Sequence, residues 1–200
     1  MYPKSRIDAL TDGLFAVAMT LLVLDLRLPD AFHADSAGLI GAVKGLWPKF
    51  FPYALSFYVL GSTWLGNARL RSTTEFLGKR YVSWWLLDLF VATCLPFSTS
   101  VVGQYAYLKP AVWLYSFNMA VLAIVGYRLI VLLPNLSDDD TALARKVALS
   151  FVIATSAACI ALSAINPKKA LFVYLLNFVE PQVTRWITSK RAAQRALLRK

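Results

Sequence analysis

Six apolar runs, each long enough to cross a bilayer as a helix, divide this chain from end to end. A backbone facing lipid must satisfy its own hydrogen bonds, which leaves helices or a closed barrel. Barrel spans read as alternating segments of about ten residues, and none appears here. The runs are Arg6–Leu28, closed by Pro29, then Trp47–Asn67, Val82–Gly103, Pro110–Leu133, Thr141–Ile165 and Lys169–Ile187. Pro110 suits a first helical turn, and Pro134 follows the fourth run. Hydrophobic residues make up 58% of the chain and charged ones 16%, far from the balance of a soluble domain. The expected fold is therefore an all-α membrane protein with six transmembrane helices.

Connections are short apart from Pro29–Leu46 and Arg69–Tyr81, and no soluble domain, linker or low-complexity tract interrupts them. We read residues 1–200 as one six-helix domain with a basic tail at about 188–200. The halves show no convincing internal repeat, which weakens an inverted-repeat transporter. With a cytoplasmic N-terminus, one side gathers most of the 21 basic residues: Lys4, Arg6, Arg69, Arg71, Lys79, Arg80, Arg128, Arg145, Lys146, Arg185, Lys190, Arg191, Arg195, Arg199 and Lys200. Positive residues favour the inside, so both termini are expected in the cytoplasm, as an even number of spans requires.

The net charge of +10 follows from that asymmetry. Beside a membrane helix, the tail Thr188–Lys200 suits anionic lipid headgroups better than nucleic acid. Met1–Leu28 is too long and too charged for a cleaved leader, and no A-x-A site follows it. Cys94 and Cys159 fall inside spans and are expected to pack as small apolar residues. His33 lies in the outer loop near Asp30 and Asp35 without metal-ligand spacing. Ser137-Asp138-Asp139-Asp140 reads either as a divalent-cation site or as a helix start, with Ser137 capping and the aspartates meeting the dipole. There is no Gly-rich phosphate loop, nucleophile elbow or metalloprotease helix, so we expect no enzyme, metal or cofactor.

The first run carries the chemistry. Arg6, Asp8 and Asp12 stand at its entrance and Thr20, Asp25 and Arg27 further along, all expensive to dehydrate without partners. Arg6 and Asp12 are too far around a helix to pair, so each must reach a neighbour, or Arg6 must snorkel to the headgroups. Gly13 permits a close backbone approach of the kind small residues make between membrane helices. Val17, Leu21, Leu24 and Leu28 fall along one stripe with Thr20 beside it. Periodicity alone reads that stripe as a packing seam. Asp88, in mid-span, is a further buried-polar candidate, with Asn118 and Asn177 weaker ones.

Arg6-x-x-x-Leu10-Thr11-Asp12-Gly13 resembles the Arg-x-x-x-Phe-Ser-Asp-Gly signature that opens the first helix of the lysosomal potassium channel family, transmembrane protein 175 and its bacterial relatives. Leu10 keeps an apolar residue and Thr11 a hydroxyl. Trp64-Leu65-Gly66-Asn67-Ala68-Arg69-Leu70 resembles the end of that family's second helix, with Asn67 and Ala68 at two histidine positions. Leu95-Pro96-Phe97-Ser98-Thr99 resembles its Pro-Phe-x-Thr run, and Pro96 there implies a kink.

The resemblance implies a potassium-preferring channel, homotetrameric for a one-unit chain, whose four first helices line the pore. It puts apolar pore layers at Val17, Leu21 and Leu24, with Leu28 continuing the stripe, and a hydroxyl at Thr20. An apolar ring controls conduction through diameter and wetting. Valine is short, so either Val17 or Leu21 and Leu24 form the narrowest layer. Thr20 either eases potassium dehydration or bonds back to its own helix. Arg6, Thr11, Asp12, Gly13, Trp64, Asn67 and Arg69 form the implied signature network at the cytoplasmic end. Asp25, Asp30 and Asp35 could raise cation concentration at the outer side. Membrane lipids and copies of the chain are the expected partners, with no soluble partner and no nucleic acid, in a cell membrane of bacterial inner-membrane type. The competing reading is a proton-coupled transporter using Asp12, Asp25 or Asp88; a third is a scaffold without transport.

Overall fold

The computed structural model describes residues 1–29, 35–70, 74–133 and 139–198. Asp30, His33, Arg71, Pro134, Ser137, Asp138, Arg199 and Lys200 lie outside them. The chain opens with a two-residue strand, β1 (Tyr2–Pro3), then α1 (Lys4–Val23), α2 (Ser36–Gly45) and α3 (Trp47–Arg69). A second strand, β2 (Phe76–Leu77), precedes α4 (Lys79–Tyr105), α5 (Lys109–Leu132) and α6 (Asp139–Ser163). A short α7 (Pro167–Ala170) winds on as a 3₁₀ segment, Leu171–Phe178, before α8 (Glu180–Leu198).

Helical architecture is as the apolar runs require, and among the described residues Lys79–Tyr105, Lys109–Leu132 and Asp140–Ser163 are long and apolar enough to cross a membrane. Sequence boundaries shift at two ends. The first run was expected to stay helical to Leu28, but α1 ends at Val23. There Leu24 N donates to Leu21 O at 3.1 Å and Leu26 N to Val23 O at 3.0 Å, tightening the chain into turns. Arg27 Nε takes Leu24 O at 2.8 Å, a basic side chain occupying a carbonyl that the helix end leaves free. Leu28 therefore leaves the helical stripe.

The sixth run, Lys169–Ile187, is likewise not one helix. Its middle is the 3₁₀ segment, and α8 begins afresh at Glu180 with Pro181 in its first turn. The loop Pro29–Leu46 holds α2, which composition alone did not show. Asp35 caps it by accepting from Gly38 N at 2.7 Å, while Leu39, Ile40 and Val43 remain exposed. Pro96 interrupts no element boundary: α4 continues through it, and the Ser98 and Thr99 hydroxyls bond back to Leu95 O.

The core sits where α4 and α5 pack with α1, α3, α6 and the 3₁₀ segment. Several buried polar groups there are paired across helices, as a water-free interior favours. Ser56 Oγ lies 2.7 Å from Thr99 Oγ1 and 2.9 Å from the Tyr115 hydroxyl, joining α3, α4 and α5. The Tyr174 hydroxyl donates to Ser156 Oγ at 3.1 Å, tying the 3₁₀ segment to α6. Cys94 and Cys159 are free thiols, Cys159 buried. Antiparallel pairing of β1 with β2 sets Tyr2 opposite Leu77 and Pro3 opposite Phe76.

Candidate functional site: the two faces of the first helix

α1 presents two apolar faces. Ile7, Phe15, Ala18 and Leu22 recur at helical spacing and are buried against α3 and α4, Phe15 and Leu22 at 1% exposure. On the other side Val17 is 52% exposed, Leu21 44% and Leu24 53%. A helix apolar all round belongs inside a larger assembly or in lipid, because either face alone would drive burial. Thr20 is also exposed, and its hydroxyl donates to Val17 O at 2.8 Å. The hydroxyl thus makes the back-bond that was one of its two expected roles. Leu24 is the helix C-cap, and Leu28 lies beyond it in irregular chain.

At the N-terminal end of α1 the signature residues meet α3 and α4. Trp64 Nε1 of α3 donates to Asp12 Oδ1 at 2.8 Å. At the adjacent residue, Trp85 Nε1 of α4 donates to Thr11 Oγ1 at 2.8 Å, and Thr11 Oγ1 in turn donates to Ile7 O at 2.8 Å. Two indoles from two helices are thereby clamped on consecutive residues of a third. Asp12 is exposed and its partner Trp64 is 39% exposed, so this bond lies at the surface of the chain. Asn67 borders the same cavity, of about 180 Å³, as do Asp12, Trp64 and Trp85.

Asp88 also opens into that cavity, at 1% exposure, with Oδ1 lacking a hydrogen-bond partner. The mid-span aspartate is buried, as are Asn118 and Asn177. Asn177 exchanges contacts with Thr155 Oγ1 at 3.3 Å and donates to Tyr174 O at 3.1 Å.

Other signature residues are placed differently. Arg6 and Arg69 are exposed. Gly13 has nothing within 4 Å of where a Cβ would stand, so the close backbone approach expected of it is not made within this chain. Lys4 Nζ pairs with Asp8 Oδ2 at 2.6 Å on the exposed side. Beyond the C-terminal end of α1, Ser100 Oγ donates to Asp25 Oδ1 at 2.7 Å and Gln104 Nε2 donates to Ser100 Oγ at 3.2 Å. Leu21 and Leu24 line a 450 Å³ recess there with Asp25 and Arg27.

Two participants escaped sequence reasoning. Trp85 sits in an aromatic-rich helix where nothing in the order of residues singles it out. Arg145 was counted among the inner basic residues, yet it is 7% exposed. A glycine on a neighbouring helix was the available signal: a Cβ on Gly66 would meet Arg145 Nε at 2.6 Å.

Several known proteins are similar to this chain in sequence and fold. A family model described as "Endosomal/lysosomal potassium channel TMEM175" matches residues 6–96, from α1 into α4. A potassium channel of Chamaesiphon minutus is 32% identical over 100 residues, 50% of this chain and 49% of that protein. A potassium channel of Streptomyces collinus is 32% identical over 105 residues, 52% of this chain and 50% of that one. The chain thus spans about half the length of these relatives. The crystal structure of a lysosomal potassium-selective channel TMEM175 homolog from Chamaesiphon minutus superimposes with a TM-score of 0.76, at 26% identity, over 90% of this chain and 97% of that one. These relatives are named as channels and not as enzymes. In sequence through residues 6–96, and in fold over 90% of its length, the chain is similar to TMEM175 channels.

Proposed function

We propose that this chain forms a potassium-preferring cation channel in the cell membrane, of bacterial inner-membrane type. Four copies would surround one pore, each contributing α1, with both termini cytoplasmic. The observation that carries the reading is the bare apolar face of α1: Val17, Leu21 and Leu24 are about half exposed on a helix whose opposite face is core. Supporting it, the relatives from Chamaesiphon minutus and Streptomyces collinus are named potassium channels.

In this reading the residues act by shape and wetting. Leu24 caps the helix, so Val17 and Leu21 are the layers held on rigid helical backbone. Leucine is the longer of the two, which makes Leu21 the narrowest ring. A narrow apolar ring strips or admits water according to its diameter, and so governs permeation without fixed ligands. Thr20 donates its hydroxyl hydrogen bond to Val17 O, so its oxygen lone pairs are what it offers a passing cation. Asp25 at the outer end adds negative potential that concentrates cations. The Asp12–Trp64 and Thr11–Trp85 bonds hold the inner end of α1 in register with α3 and α4. No covalent step, nucleotide or cofactor is needed beyond the permeant ion.

The test is ion flux from liposomes holding the purified protein, under potassium and matched sodium gradients, beside Leu21→Ala. Potassium flux exceeding sodium flux, with Leu21→Ala conducting faster or discriminating less, supports the reading. Sealed liposomes under both gradients, from folded tetrameric protein, would overturn it.

A further inference from the structure

A cleft of about 620 Å³ runs along α3 between α6 and α8 and takes no part in the chemistry above. Its inner end is basic: Arg69 from the last turn of α3, Arg145 from α6 and Arg185 from α8 stand there against one carboxylate, Glu180. From that end the wall turns apolar through Leu65, Leu122 and Val152 to Phe57. Phe57 and Arg69 lie about 18 Å apart at the helical rise, so the cleft is elongated and graded from charge to hydrocarbon.

Arg145 is the unusual member. It is 7% exposed, Nη2 donates to Thr63 O at 3.3 Å, and Nε has no acceptor. Gly66 makes the room for it, since any Cβ there would strike the guanidinium. A buried guanidinium with an unmet donor is unfavourable unless an anion completes it. Asp88, the other buried charge, opens into the cavity beside α1, yet its carboxylate and that of Glu180 both act on Arg145 electrostatically.

We propose that the cleft binds an anionic phospholipid, its phosphate at Arg145, Arg69 and Arg185 and one acyl chain along Leu65, Leu122 and Val152. A phosphate suits the planar donor fork of arginine and meets three cations that the two carboxylates, Glu180 and Asp88, leave in excess. A soluble anion would leave the apolar length of the cleft uncovered; a neutral lipid would leave the arginines unmatched. The flanking helix supports the depth this requires. Lys190 Nζ stands 3.9 Å from the centre of the Trp186 ring, a tryptophan–lysine pairing characteristic of the headgroup layer.

The proposal stands apart from channel activity and is tested by binding. Full-length protein in neutral detergent is examined by native mass spectrometry and thermal unfolding with phosphatidylglycerol, phosphatidylcholine or inorganic phosphate. Phosphatidylglycerol alone should stay bound and raise the melting temperature. Arg69→Gln and Arg185→Gln, at exposed positions, should each weaken its binding about tenfold, one charge-assisted hydrogen bond's worth. Ala148→Trp, filling the apolar wall, should exclude the lipid while melting as the wild type does in detergent alone. Equal retention of both lipids in every variant would overturn the proposal. So would stabilisation by phosphate matching that by phosphatidylglycerol, which means an adventitious ion only. A changed oligomeric state in Ala148→Trp with lipid binding intact would assign the cleft to a second copy instead.

Discussion

Trp64 of α3 donates its indole N–H to the Asp12 carboxylate of α1 across 2.8 Å, and this bond joins two stretches that a sequence reader finds 52 positions apart. It is the contact that gives the aspartate of the signature a job. Trp64→Phe keeps the ring and removes the donor, and Asp12→Ala removes the acceptor. Each is expected to lower stability by about 1 kcal/mol, the net worth of one partly solvated bond. The double variant should lose no more than the worse single one. Thermal unfolding in a double-mutant cycle checks this, and full additivity would deny the coupling.

The two faces of α1 should separate stability from permeation. Leu22 is 1% exposed and Leu21 44%. Leu22→Ala opens a cavity in the core and should destabilise by about 2–5 kcal/mol. Leu21→Ala should move the unfolding midpoint by no more than a surface change does, within about 0.5 kcal/mol, in a form kept monomeric by detergent. Unfolding curves for the two variants side by side decide it; equal losses would mean both leucines are packed within one chain.

Gly66 should tolerate no side chain without a rearrangement of Arg145. A Cβ would lie 2.6 Å from Nε and 2.7 Å from Cδ of that side chain. Arg145 is hemmed in, so Gly66→Ala is expected to cost about 1–3 kcal/mol, an overpacking penalty. Arg145→Ala should relieve that penalty in the double variant, whatever its own effect. Melting temperatures of the four forms report it.

The buried hydroxyl trio predicts an asymmetry. Tyr115→Phe removes one bond and leaves Ser56 its 2.7 Å contact with Thr99. Ser56→Ala instead strands the Tyr115 hydroxyl in a site of 0% exposure. Stranding a buried polar group costs more than removing it, about 1–3 kcal/mol against about 1 kcal/mol. The larger loss should therefore fall on the smaller residue, Ser56→Ala, in chemical or thermal unfolding.

The places where sequence reading held and failed have separate physical causes. Apolar runs over α3, α4, α5 and α6 were legible because a backbone in an apolar setting must satisfy itself as a helix. Boundaries were not: the end of α1 depends on Arg27 reaching Leu24 O, a side-chain choice no hydropathy reports. The sixth run reads as a helix by composition, yet the 3₁₀ winding is set by Tyr174 meeting Ser156 and Asn177 meeting Thr155. Thr11, Asp12 and Trp64 were legible as a group through their resemblance to a signature. Trp85 and Arg145 were not, because tertiary packing alone makes one tryptophan or one arginine differ from its neighbours.

The small ribbon at the start of the chain bears on how α1 can move. Tyr2 and Pro3 pair with Leu77 and Phe76, and Lys4 N donates to Glu75 O at 2.9 Å, so the helix begins at a stitched point. Sliding α1 along its axis by one turn, about 5.4 Å, would tear that stitch and both indole bonds with it. Swinging its far end would instead pull Phe15, Ala18 and Leu22 out of the core and break the Asp25–Ser100 bond. The first helix is therefore moored at both ends, and the side left unmoored is the one that carries Leu21 and Leu24.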